Sequence, residues 1–319
     1  MGTRVEFSVL ADSPEHAAEL SAEIERTLLR QGIDWYPWTH DPSGELKRLN
    51  AALAAGESFT ASPSLLGLLQ RATQAYSVSE GFFDPAVAPL IQYWGFADLE
   101  SPPTSTPADP AALKRWRESR PTLANLHIDA SRISSARRDL QLDMGAIAKG
   151  YAEQLVMQQL QVLGCREAAI NMGGQITVIG TTMAAQLAAV AIRDPRAERG
   201  LATLQLKAGE SISTSGDYER FVVRDGQRLH HLLDPHTGLP VAHTQAVTVI
   251  SDDATLADAA STALMAAGPD NWQRIARQLG VREVLRIDAT GAIEVTAALY
   301  ARLHWLPAMQ GRAIRQINL

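Results

Sequence analysis

The sequence predicts an α+β fold, on three observations. Segments of helical period crowd the first half of the chain, and strand-like runs crowd the second. The regular β–α alternation of a doubly wound sheet is missing. At 319 residues the chain can bury a sizeable core, and no linker splits it, so a single domain over 1–319 is expected.

Residues 4–10 alternate as a strand does. "SPEHAAELSAEIERTLLRQG" follows as a helix, with Ser13 as cap, Pro14 in the first turn and Gly32 as stop. "GELKRLNAAL" (44–53) and "SPSLLGLLQRATQAYSVSEG" (62–81) are further helices. "SPPTSTPADPAAL" (101–113) is rich in Pro, Ser and Thr and reads as a surface loop. Short strands are predicted at 126–129, 132–136 and 140–143, and an amphipathic helix over 146–163, ended by Gly164. Strands then follow at 168–174, 175–180, 187–194, 201–207, 211–216, 221–227, 229–234 and 246–253. Helices over 254–267 and 269–280 precede strands at 283–288 and 292–299.

Hydrophobic content of 46% and charged content of 20% are those of a soluble globular protein. The net charge of −6 argues against a general nucleic-acid binder, which would show a basic surplus. No run approaches the ~18 apolar residues of a membrane span. The single cysteine, Cys165, leaves no disulfide framework and no cysteine-rich metal site within one chain.

The common enzyme templates fail. There is no G-x-G-x-x-G, no G-x-x-x-x-G-K-[ST], no H-E-x-x-H and no G-x-S-x-G. Other segments carry chemistry. "LADAASTALMAAG" (256–268) puts Asp258 and Thr262 four apart, on one helix face and ~6 Å apart along the axis. A polar pair with Thr262 bonded back to its own helix is the simplest account of that spacing. "LDMGAIAKGYAEQL" sets Asp143 and Gly145 before a helix with Lys149 in its first turn, an arrangement suited to phosphate or to an ordinary capped helix. "NMGGQ" reads as a hairpin turn at Gly173 and Gly174. "STSGDYERF" combines hydroxyls with Asp217 and Arg220, as turn chemistry and an ion pair would. In "HHLLDPHTGLPV" the turn explains Asp234, Pro235 and Gly238 but not the histidines ahead of it. His231 beside Asp234 is a candidate base, and His230 competes for the assignment.

Seven segments in order resemble the ApbE family of Mg²⁺-dependent FAD:protein FMN transferases. They are "RLNA" (48–51), "GFFDPAVAPLIQYWGF" (81–96), "LDMGAIAKGYA" (142–152), "NMGGQITVIG" (171–180), "SISTSGDYERF" (211–221), "HHLLDPHTGLPV" (230–241) and "VTVISDDATLADAASTAL" (247–264). The resemblance implies a two-lobed α+β fold with mixed and antiparallel sheets and the flavin in a cleft between lobes. It implies Mg²⁺ on Asp258, Thr262 and the backbone carbonyl of Ala146. Mg²⁺ takes about six oxygen ligands at ~2.1 Å; three from the protein leave the rest to a pyrophosphate, so tight binding is expected only with FAD present.

The resemblance also implies flavin-site roles for Asp143 and Lys149, for Trp94, Gly95 and Phe96 beside the isoalloxazine, and for Met1, Trp38 and Leu233. Around Trp38, "WTHDPSGEL" is longer than the family's usual spacing. His231 matches the histidine of the family's H-x-x-D-P-x-T-G, with Asp234 expected to orient it. The implied reaction moves FMN from FAD to a Thr or Ser of an acceptor protein and releases AMP. An FAD pyrophosphatase and a non-catalytic flavin carrier are the alternatives; a carrier has little use for a metal pair such as Asp258 and Thr262. The first ten residues lack a signal-peptide h-region. A periplasmic or membrane-associated location is expected if a targeting segment was removed, and a cytoplasmic one otherwise.

Overall fold

The computed structural model describes residues 3–98, 109–187, 189–309 and 311–319. Its centre is an eight-stranded sheet. The strand order is Val5–Val9, Ala168–Met172, Gln175–Ile179, Ser211–Gly216, Thr244–Ser251, Glu283–Asp288, Ile293–Thr296, Ile314–Ile317. Neighbours run antiparallel except the last pair, which is parallel. Gly173 and Gly174 form the predicted hairpin turn, with Met172 opposite Gln175.

The strand Thr244–Ser251 shows how period two builds two cores. Val247 and Val249 join the larger core; Ala246 and Ile250 join the smaller. The larger is covered by the helices Pro14–Asp34, Glu45–Ala55, Pro63–Val78, Ala148–Val162 and Ala254–Leu279, through Leu20, Leu49, Leu68, Val156 and Leu264 among others. The smaller is closed by a second sheet of His304–Trp305, Gly200–Leu204 and Val190–Arg193. The class is α+β, as the sequence predicts.

The helix Ala254–Leu279 lies against the sheet on small side chains: Ala257, Ala260 and Ala263 are fully buried. The Asp253 carboxylate caps it, accepting the Leu256 N–H at 2.8 Å. The two helices predicted at 254–267 and 269–280 are one element broken at Gly268, just before Pro269.

Other boundaries differ for local reasons. Gly32 does not stop its helix, which runs to Asp34; an interior Gly costs only ~1 kcal/mol against Ala, and the buried Trp35 anchors the turn beyond. Part of the loop predicted at 101–113 is the helix Pro110–Ser119, capped by Asp109 at the Ala111 N–H; residues 101–108 lie outside the described ones. No strand forms at 140–143, because the Asn50 amide takes both the N–H and the carbonyl of Leu142, each at 2.9 Å. The strand predicted at 229–234 ends at His230, and that at 292–299 gives way to the short helix Ala297–Tyr300. Strands Phe59–Thr60, His304–Trp305 and Ile314–Ile317 are too short for a periodic signal and were not predicted. Among the described residues, no helix is long and apolar enough to cross a membrane.

Candidate active site

The strand Ser211–Gly216 reads Ser-Ile-Ser-Thr-Ser-Gly. Period two sends Ser211, Ser213 and Ser215 to one face, where all three are buried. A row of hydroxyls under a helix must find partners. Ser215 Oγ lies 2.8 Å from Ser261 Oγ and 3.0 Å from Thr262 Oγ1. Ser211 Oγ lies 2.8 Å from Thr177 Oγ1. Ser213 Oγ approaches Asp258 Oδ1 at 3.5 Å. The back-bond expected of Thr262 is made by its neighbour: Ser261 Oγ donates to the Asp258 carbonyl at 2.9 Å. Thr262 reaches across to the strand instead.

Asp258 is buried, its side chain 3% exposed. A carboxylate there needs compensating donors. Oδ2 accepts the Gly150 N–H at 2.9 Å, and Oδ1 sits 3.3 Å from Lys149 Nζ. Gly150 is in the first turn of the Ala148–Val162 helix, so Asp258 caps that helix from another one. The contact is possible only because residue 150 has no side chain. A Cβ there would stand 2.2 Å from the Ala254 carbonyl oxygen and 2.8 Å from Asp258 Cβ. Gly150→Ala should therefore destabilise the protein by ~1–3 kcal/mol or more through overpacking, read as a lower denaturant midpoint.

The two histidines separate cleanly. His230 is 1% exposed, and both ring nitrogens are engaged: Nε2 donates to the Val241 carbonyl at 2.7 Å and Nδ1 accepts the Leu232 N–H at 3.3 Å. It is structural. His231 is half-buried. Its Nδ1 lies 3.3 Å from the Arg220 carbonyl, which fixes the proton on Nδ1, and Nε2 has no hydrogen bond among the described residues. Burial first, then the neighbouring His230 and Arg220, push its pKa down to about 3, so the ring is neutral and Nε2 carries a lone pair.

Asp234 does not orient His231. Its oxygens accept the His236 N–H and the Thr237 hydroxyl, both at 2.8 Å, as the Asp of a tight turn does. The orienting group is the Arg220 carbonyl. Arg220 is itself held by the carbonyls of Phe96 and Asp98, at 2.5 and 3.0 Å.

Trp38 Nε1 donates to Asp143 Oδ2 at 2.8 Å, and Asp143 Oδ1 accepts the Gly145 N–H at 2.7 Å, so the longer loop still brings Trp38 to Asp143. The Asp143 charge reaches Arg220, and the Lys149 charge reaches His231. Trp38, Asp143, Lys149, His231, Asp258 and Thr262 thus form one neighbourhood. Ala146 lies in the turn just before the Ala148–Val162 helix; the N–H four residues on, that of Gly150, is taken by Asp258.

The aromatic expectation needs correction. Phe96 is 1% exposed, edge-on to His231 at 6.4 Å, and has no free face for a flavin; it supports the histidine. Trp94 packs with Leu90, Trp116 and Leu233 and donates to the Gly238 carbonyl at 2.9 Å, which ties the DPHTG turn to the body. Leu233 is buried in the same cluster. Gly95, at φ 77°, ends the Ala88–Tyr93 helix, with the Phe96 N–H closing onto the Ile91 carbonyl at 2.8 Å. Met1 lies outside the described residues.

Sequence reasoning missed Gln175, Ser213, Ser215 and Glu153 beneath Asp258. The alternating serines carried a readable signal. Glu153 did not: it looks like any polar helix residue, yet it is fully buried. Burial pushes its pKa up to about 8, against the Thr177 hydroxyl that lowers it. A raised carboxyl favours folding fully below its unfolded value of about 4.5 and loses that contribution as pH rises through 8. Glu153→Gln cannot ionise, so its melting temperature should gain on the wild type steadily between those limits.

The surface ion pair expected within "STSGDYERF" does not form: Asp217 is buried and bidentate to Arg196 at 2.6 Å, while Arg220 turns to the Phe96 and Asp98 carbonyls. A cavity of about 180 Å³ by Arg71, Asp253 and Gln278 includes none of the site residues.

The donors suit a hard dication. Asp258, Thr262 and the Ala146 carbonyl offer oxygen only, and no cluster of three His, Cys, Asp or Glu competes among the described residues. Asp258 Oδ1 already takes a cationic partner in Lys149.

The ApbE family model matches residues 1–285. An FAD:protein FMN transferase of Rhodobacter capsulatus is 39% identical over 302 residues, which is 95% of this chain and 57% of that protein. The chain thus spans little more than half the length of that relative. One of Treponema pallidum is 32% identical, over 97% of this chain and 88% of its own. The crystal structure of the ApbE protein of Thermotoga maritima superposes with a TM-score of 0.84 at 28% identity, covering 94% of this chain and 96% of that one. The flavin transferase ApbE of Vibrio cholerae gives 0.80 at 27% identity, covering 95% and 96%.

Proposed function

The chain belongs to the ApbE family, and from that premise we propose that it is a Mg²⁺-dependent FAD:protein FMN transferase. It takes FAD as substrate, joins FMN through a phosphoester to a Thr or Ser of an acceptor protein, and releases AMP. The observation that carries this reading is the buried Asp258 carboxylate, one oxygen capping a helix and the other turned to the Lys149 ammonium.

His231 Nε2 takes the proton of the acceptor hydroxyl as its oxygen attacks the phosphorus on the FMN side. The bond from that phosphorus to the bridging oxygen breaks, and AMP leaves with the electron pair. The Arg220 carbonyl holds the histidine in the required tautomer. Lys149 draws the pyrophosphate by its charge and meets the negative charge that grows on the bridging oxygen. Asp258, Thr262 and the Ala146 carbonyl would hold Mg²⁺, which when bound supplies Lewis-acid stabilisation of phosphoryl oxygens.

Incubation with FAD and Mg²⁺, with and without a candidate acceptor and its Thr→Ala or Ser→Ala counterpart, tests the proposal. Transfer predicts AMP release and protein-bound flavin fluorescence together, only with the intact acceptor. AMP without an acceptor would mark a pyrophosphatase, and bound FAD without AMP a carrier.

A further inference from the structure

Glu153 lies one helical turn beyond Lys149, on the face of the Ala148–Val162 helix that meets the sheet. It is wholly buried. Oε2 accepts from Thr177 Oγ1 at 2.5 Å, and Thr177 is braced by Ser211 at 2.8 Å. Oε1 has no partner among the described hydrogen bonds. A buried carboxyl oxygen left so is costly unless it carries a proton and donates.

The group beside it is the amide of Gln175, itself 2% exposed. One orientation gives the amide a donation to the Ala254 carbonyl at 3.4 Å and an acceptance from Ser213 Oγ at 3.3 Å; the other matches more of its neighbours. With nitrogen toward the site, Nε2 donates to Asp258 Oδ1 at 3.2 Å and to Ser213 Oγ at 3.3 Å, and Oε1 accepts the Gly150 N–H at 3.1 Å. The reverse sets oxygen against the Asp258 carboxylate and nitrogen against an N–H. In the better-matched orientation the Gln175 oxygen has a second lone pair for a proton on Glu153 Oε1.

We propose that Glu153 and Gln175 are positioning residues: a neutral glutamic acid fixes the Gln175 amide, whose N–H₂ in turn fixes the Asp258 carboxylate as a cation ligand. Neither touches substrate. The role asked of Glu153 is a hydrogen bond, not a charge, so Glu153→Gln should preserve it: the new amide oxygen accepts from Thr177 and its N–H donates to Gln175. Glu153→Ala and Gln175→Leu should not. The inference rests on the proposed cation role of Asp258.

The test is the affinity for Mn²⁺, used as a spectroscopic probe, measured with FAD present by the loss of the free-ion electron paramagnetic resonance signal. Melting temperature is followed in parallel without metal. Partners that orient a metal ligand typically matter by ~10–100-fold in affinity, so E153A and Q175L should each weaken Mn²⁺ by about 10-fold or more. E153Q should stay close to wild type. The double variant E153A/Q175L should be no weaker than Q175L alone, since the two act in series.

E153Q as weak as E153A would show that an ionised Glu153 is needed, and additive effects would break the series; either overturns the proposal, as does wild-type affinity in E153A or Q175L. Should E153A not fold, Q175L against E153Q carries the test. Wild-type Mn²⁺ binding that survives Asp258→Asn would instead overturn the cation role of Asp258, separating that failure from this one.

Discussion

Asp258→Asn is expected to lower Mg²⁺-supported AMP release by roughly 10²–10³-fold while lowering the melting temperature less than Asp258→Ala does. The two carboxylate oxygens have different partners. Asn keeps an oxygen to accept the Gly150 N–H, so the cap on the Ala148–Val162 helix survives. It loses the charge that faces Lys149, and with it the carboxylate proposed to hold the dication. Withdrawing metal assistance removes several kcal/mol of transition-state stabilisation, and each ~1.4 kcal/mol is tenfold in rate.

Asp258→Ala loses the cap as well. It leaves the partly buried Lys149 unpaired and the Gly150 N–H with only the Gln175 oxygen at 3.1 Å, and loss of the carboxylate cap should cost ~0.5–2 kcal/mol. The two variants thus separate chemistry from folding. Steady-state AMP release against Mg²⁺ concentration, with thermal melting on the same preparations, reads both. An Asn variant with wild-type metal dependence would refute the assignment.

The legible part of this site is local in sequence. Asp258 and Thr262 sit one turn apart, Lys149 opens a helix, and Ser211, Ser213 and Ser215 alternate; each is a period or a cap, and the structure places them in one neighbourhood. The α+β class was legible for the same reason, since its helices and strands announce themselves by spacing. What spacing could not give is which polar groups meet across elements. Asp234 looked like the partner of His231 because it is three residues away, yet its turn claims both oxygens, and the true partner is a backbone carbonyl at residue 220.

Trp94 and Phe96 looked like a flavin platform because the family resemblance implies it and a flat ring stacks on aromatics. Burial decides otherwise for Phe96, and burial is a property of the whole fold. Glu153 had no signal at all: a glutamate in a helix is ordinary until a strand carrying Thr177 and Gln175 closes over it.

The histidine pair gives the second large effect. His231→Ala should lower kcat/KM by ~10²–10⁴-fold, the usual worth of a general base, with less loss of stability than His230→Ala, because the ring is half-buried and makes one hydrogen bond, at 3.3 Å, beside its edge contact with Phe96. His230→Ala should do the reverse. It removes a fully buried ring hydrogen-bonded at both nitrogens and should cost about 2–4 kcal/mol of stability, in the range of large-to-small core changes, with activity per folded molecule largely kept.

The pH dependence sharpens the contrast. The base must be neutral, so activity falls as pH drops through the pKa of His231. In the free enzyme burial holds that pKa near 3, well under the ordinary 6.5, and kcat/KM should lack an acid limb near 6.5. Bound pyrophosphate brings negative charge beside the ring and favours the imidazolium. The limb in kcat, which reports the FAD complex, should therefore appear at higher pH than that in kcat/KM. Rate profiles of both constants from pH 4 to 9 decide the matter: limbs that coincide near 6.5 and persist in the His231→Ala variant would assign the proton transfer to another group.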